Sequence, residues 1–279
     1  MKKHLKTTIY IIIYLIAVFI PSYGIGKLWF SGILPESISQ KYYDIISFLA
    51  FVITISIYEL ILKARKKSII KTCNFSKLDS SNLILLTIAG ILMGTITCLL
   101  CNTNFVEKNI PIFEQFLNYQ VYGYNNFVIF LIMVAVTYAM EEMIFRGVIF
   151  NEIRNSISLY PAIIVSALLY GFINVFTMGI AIGAYAAIAA LLYTLAYVFA
   201  RSILASITLQ VTSIYVIAIS IKTGLWVQLK RVDDTYLYIG VIVLLLAVLG
   251  AYRYLYIRSR IKNQDDNEKE KEELIYAKP

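Results

Sequence analysis

Histidine is almost missing from this chain, with one in 279 residues, and cysteine is scarce, with three. There is no H-E-x-x-H and no His/Cys/Asp cluster with zinc spacing, and Cys98-x-x-Cys101, at the expected outer end of a span, is the wrong context for a redox motif, so a metal site is not expected. Three cysteines do not make a disulfide scaffold either. Charge is scarce as well, at 15% of residues against about 25% in soluble domains. No P-loop and no G-x-G-x-x-G pattern occurs, so nothing calls for a nucleotide, and no cofactor is expected. What fills the chain instead is apolar: 59% hydrophobic residues and a mean hydropathy of +0.74. That excess excludes an ordinary soluble domain and excludes disorder. Strand-like alternation is absent too; runs such as Val241–Val248 are apolar on every face, which argues against a membrane β-barrel. The expected fold is all-α, a polytopic transmembrane helical bundle.

A crossing helix needs roughly 20 apolar residues. Eight runs qualify: Thr8–Phe30, Tyr42–Leu62, Asn82–Leu100, Asn126–Phe150, Tyr160–Phe176, Gly179–Ala200, Ser202–Ile221 and Thr235–Tyr256. The first has Lys2, Lys3 and Lys6 before it, but it is long and lacks a small-x-small cleavage site, so it reads as a retained helix. The formal charge of +8 sits between spans, which makes it a topology signal and not a nucleic-acid footprint. Lys63, Arg65, Lys66, Lys67, Lys71, Lys77, Arg154, Arg201 and Arg253–Lys262 fall on one side. Lys27, Lys41, Lys108, Lys222, Lys230 and Arg231 fall on the other. The positive-inside rule then places both termini in the cytoplasm, in a bacterial cytoplasmic membrane by compositional bias. The chain divides into N-terminal helices (1–125), a core (126–221), a last helix (222–262) and a charged tail (263–279), read as solvated.

Charges at membrane depth are costly and need a reason. Asp44 and Glu59 lie near span ends and reach water. The stretch Glu141-Glu142-Met143-Ile144-Phe145-Arg146 does not. Glu142 and Arg146 are four apart, acid first, so one helix face carries an ion pair. Glu141 is turned about 100° away and lacks a local counter-charge, which suits a proton-accepting group. The plainer alternative is an inter-helix polar lock with partners such as Asn174.

Glu141-Glu142-x-x-x-Arg146 resembles the E-E-x-x-x-R motif of the CAAX protease and bacteriocin-processing family, also called CPBP or Abi, of helical intramembrane endopeptidases. The span Ser166–Asn174 has the Ala-Leu-Leu-aromatic-Gly setting of that family's F-x-x-x-H motif, with Asn174 at the histidine position. Arg201–Gln210 matches the entry to its H-x-x-x-N motif, with Gln210 at the histidine position and Ile214 at the asparagine position. The resemblance covers roughly 126–221. It implies Glu141 as the base that activates water, Glu142 with Arg146 as organisers, and Asn174 and Gln210 as neutral stand-ins for both histidines. Amides donate and accept hydrogen bonds but do not shuttle protons near neutral pH. His4, before the first span, is out of reach. Three functions stay open: a glutamate-dependent endopeptidase, a pseudoprotease that binds a peptide or transmembrane partner, and a proton-coupled transporter. Membrane lipid and a peptide or membrane-protein substrate are the expected partners. Cys73, Cys98 and Cys101 read as plain thiols, Gly171, Gly179 and Gly183 as packing or turn positions, and Trp29, Tyr42, Tyr43, Trp226, Tyr236 and Tyr238 as interfacial belts.

Overall fold

A computed structural model describes residues 2–29, 43–122 and 126–276, and among these the chain is helical with no strand. In order the helices are α1 (Lys2–Trp29), α2 (Tyr43–Ala64), α3 (Ile69–Cys73), α4 (Ser80–Cys101), α5 (Asn104–Asn109), α6 (Pro111–Tyr122) and α7 (Phe127–Glu142). A π-helical segment, Met143–Phe150, continues α7 into α8 (Asn151–Arg154). Then come α9 (Leu159–Met178), α10 (Ile180–Ala200), α11 (Ile203–Lys222), α12 (Leu225–Leu229) and α13 (Asp234–Tyr276).

Seven of the described helices are long and apolar enough to cross a membrane. They carry seven of the eight expected spans; the other, Tyr42–Leu62, falls on α2 and lies partly outside the described residues. α13 runs through the expected tail to Tyr276, and its 43 residues reach about 65 Å at 1.5 Å per residue. That is about twice the hydrocarbon thickness, so the helix extends beyond it.

Many large apolar side chains are exposed, as at Ile164, Leu168, Phe172 and Phe176 on α9 and Ile242, Val243, Leu246 and Leu249 on α13. In a bundle of this kind such faces meet acyl chains. Lipid supplies no hydrophobic drive for helix to join helix, so close backbone packing must do it. α4 shows this against α11. A Cβ at Gly90 would stand 2.8 Å from the Leu209 carbonyl oxygen, and one at Gly94 would overlap the Ser213 carbonyl. α9 packs on α10, α10 on α11, α13 on α4, and α7 on α2 and α11, with the π-helical segment against α3 and α9. Gly179, at φ 89°, makes the turn that folds α10 back along α9.

The basic loops gather at one end. There Arg65 donates to both oxygens of Glu152 (2.8 and 3.1 Å) and to the Tyr14 hydroxyl (3.0 Å), over the Tyr10 ring (3.6 Å). Thr7 meets Ser156, and Asn74 and Ser76 donate to the Arg201 carbonyl. Glu59 accepts from the Ile69 amide (2.9 Å), at the boundary where its sequence position puts it. At the opposite end Lys230 bridges Glu107 and Glu114 (3.1 and 2.8 Å), and Asp234 accepts from Asn104. Trp226 departs from the belt expected of it. It is buried with Cys98, Cys101 and Ile221, because α12 folds back over the ends of α4 and α11. Tyr236 and Tyr238 are exposed, while the side chains of Trp29, Tyr42 and Tyr43 lie outside the described residues.

Candidate functional site

α7 begins at Asn126, whose side chain caps the Val128 and Ile129 amides (2.9 and 3.2 Å). It ends at the paired glutamates, where the sequence alone predicts an unbroken α-helix through Phe150. The structure differs: Met143–Phe150 is π-helical, a form that is rare beyond single turns and concentrated at functional sites. Its neighbours hold it. The Cys73 thiol donates to the Met143 carbonyl (3.6 Å), and a Cβ on Gly147 would overlap that sulfur. Asn151 reaches the carbonyls of Gly147 (2.8 Å) and Thr72 (2.9 Å) and the Tyr197 hydroxyl (2.8 Å). Burial pushes the Cys73 thiol up to about 12, so it stays a neutral donor.

Glu142 and Arg146 form the ion pair predicted from their spacing, Nη1 to Oε1 at 2.9 Å, with side chains 0% and 1% exposed. The guanidinium lies near the rings of Tyr170 (4.7 Å) and Tyr193 (5.3 Å), close enough for cation–π attraction. Phe145 meets Tyr170 edge-on (4.8 Å between centroids). Glu141 points elsewhere, as its rotation requires, and is only half-buried. Among the described residues its hydrogen bonds come from the Tyr170 hydroxyl to Oε1 (2.9 Å) and from the Gln210 amide to Oε2 (3.1 Å).

Gln210 is therefore brought to Glu141, from α11, at 3% exposure. Asn174 is not: its amide donates to the Tyr170 carbonyl one turn back on α9 (2.9 Å). Residues four apart share a helix face, and the longer phenol reaches the carboxylate while the shorter amide bonds its own helix. Ile214, a turn beyond Gln210, packs among apolar side chains and supplies no donor. His4 is exposed near the start of α1. Among the described residues no group of three or more His, Cys, Asp or Glu converges as a metal site would require. Cys98 and Cys101 are free and buried in α4.

Sequence reasoning missed Tyr170 and Tyr193. Tyr170 had a signal, since it stands one helical turn before Asn174. Tyr193, on α10, had none. The Arg65–Glu152 pair was missed because its partners are far apart in sequence.

As a chemical device the arrangement holds one carboxylate between a phenol and an amide, and a second locked to a guanidinium. It can bind a polar group or water at Glu141. Neither partner of Glu141 is an imidazole that would carry a proton away. No curated protein and no solved structure matches the chain. The protein is a polytopic helical membrane protein, and its residues 123–216, which hold both glutamates, Arg146, Asn174 and Gln210, are similar to the family described as Type II CAAX prenyl endopeptidase Rce1-like.

Proposed function

We propose that this protein is a membrane-embedded pseudoprotease that binds a peptide or the end of a membrane protein at the Glu141 site without cutting it. The observation that carries the reading is the engagement of both Glu141 oxygens by Tyr170 and Gln210. A base that activates water needs a group to receive and return the proton, and such a group is worth about 10²–10⁴ in rate. An oxyanion donor is worth about 10²–10³ more. With amides at both histidine positions and Ile214 at the third, both contributions are weakened together. The Glu142–Arg146 pair keeps the fold of the site, and the half-buried Glu141 offers an acceptor for a peptide N–H. The bound class is a peptide next to the membrane, of the kind cut by the family it resembles, which includes proteins tied to bacteriocin maturation and immunity. The helix that carries Glu141 runs on to the basic end of the bundle at Glu152, an end read as cytoplasmic with both termini, in a bacterial cytoplasmic membrane.

A second reading, slow hydrolysis, draws on the partial exposure of Glu141. A carboxylate has about four lone-pair sites, and two are used. One experiment separates the two. Purified protein in lipid nanodiscs is incubated with a peptide library, with and without C-terminal isoprenyl groups, and products are read by mass spectrometry. Binding without cleavage is expected, with cleavage appearing in Asn174→His/Gln210→His. Wild-type cleavage that disappears in Glu141→Ala overturns the pseudoprotease reading.

A further inference from the structure

The ion pair is buried yet poorly bonded. Both oxygens of Glu142, Nη1 and Nη2 of Arg146, and Oε1 of Gln210 have no hydrogen-bond partner, although Nη1 and Oε1 of the pair are 2.9 Å apart. The contact has the distance of an ion pair without the alignment of a hydrogen bond. The neighbouring Ser206 hydroxyl carries a single hydrogen, which it donates to the Ile203 carbonyl (3.0 Å); turned to Glu142 it would still leave four of these five atoms unmet. All three side chains are at most 3% exposed, so bulk solvent does not satisfy them. A buried charge left this way is costly, and proteins meet such needs with ordered water.

The chemistry of the five atoms selects the occupant. Three are acceptors and two are donors. An anion would suit Arg146 and be repelled by Glu142; a cation would suit Glu142 and be repelled by Arg146. An apolar molecule satisfies none of them. A small neutral molecule that both donates and accepts satisfies all, and the tyrosine rings of Tyr170 and Tyr193 wall the guanidinium. We infer that ordered water is bound inside the bundle among Glu142, Arg146 and Gln210, on the side of Gln210 away from Glu141. Gln210 then joins the two halves of the site, its amide nitrogen on Glu141 and its amide oxygen on the water. The inference concerns the same side chains as the proposed function but holds whether or not Glu141 hydrolyses anything.

Synchrotron hydroxyl-radical footprinting tests it. Radicals formed from a bound buried water oxidise the side chains beside it even where bulk solvent does not reach. On the full-length wild-type protein in nanodiscs, without peptide, Tyr193 and Tyr170 are expected to be oxidised several-fold faster than Tyr58. Tyr58 is 0% exposed and bonded to the Tyr14 carbonyl (2.7 Å), away from the site. Gln210→Leu is expected to slow oxidation of Tyr193 toward the Tyr58 rate, whereas mere loosening of packing would speed it. Tyr170 and Tyr193 as protected as Tyr58 in the wild type overturn the inference, and that result needs no variant to fold. An unchanged Tyr193 rate in Gln210→Leu overturns the part given to Gln210. Peptide cleavage plays no part in this readout, so its outcome stands apart from that of the proposed function.

Discussion

Arg146→Met keeps an unbranched, if shorter, side chain and removes its charge, leaving Glu142 alone in the interior. At 2.9 Å and an effective dielectric of about 20, the Coulomb attraction of the pair is roughly 6 kcal/mol. Most of that is offset by the several kcal/mol each ion loses on leaving water. The net worth of the pair is therefore small, but the cost of breaking it is not. With one partner gone the remaining carboxylate keeps its desolvation and loses its compensation, which costs about 3–5 kcal/mol. Lost cation–π contacts to Tyr170 and Tyr193 add about 1 kcal/mol. Glu142→Leu/Arg146→Met removes both charges and is expected to return to within about 2 kcal/mol of wild type. The assay is unfolding in mixed micelles titrated with sodium dodecyl sulfate, followed by fluorescence of the buried Trp226, in a double-mutant cycle. A double variant as unstable as Arg146→Met, or an Arg146→Met as stable as wild type, refutes the reasoning that the pair is an internally compensated unit.

Gly147→Ala is expected to destabilise by about 1–3 kcal/mol in the same titration, since its Cβ overlaps the Cys73 sulfur. Adding Cys73→Ala should recover part of the loss, and a silent Gly147→Ala would refute the tight crossing. Arg65→Ala should cost about 1.5–3 kcal/mol by stripping Glu152 of two charge-assisted hydrogen bonds. Arg65→Lys should fail to restore it, because an ammonium lacks the two-pronged geometry; full stability in Arg65→Lys would count against that geometry.

Much of this protein is written locally in its chain. Runs of about 20 apolar residues dictate crossing helices wherever they occur, and the basic loops between alternate runs assort to one end without reference to tertiary detail. The Glu142–Arg146 pair is local too, because a four-residue spacing puts both side chains on one face in any helix. Departures from the expected motif, Asn174, Gln210 and Ile214, are likewise plain in the letters. What assembled around them was not. Whether Asn174 or Tyr170 takes the Glu141 oxygen depends on how far α9 stands from α7, a distance that helix packing sets. The π-helical turn after Glu142 depends on Cys73 and Asn151, the first of them 70 residues from Met143 in the chain. Tyr193 reaches Arg146 only because α10 folds back beside α9. Local spacing fixes what a single helix does with its own residues; which side chains meet across helices is decided by packing, where a small residue such as Gly94 or Gly147 sets the approach and every contact beyond it follows.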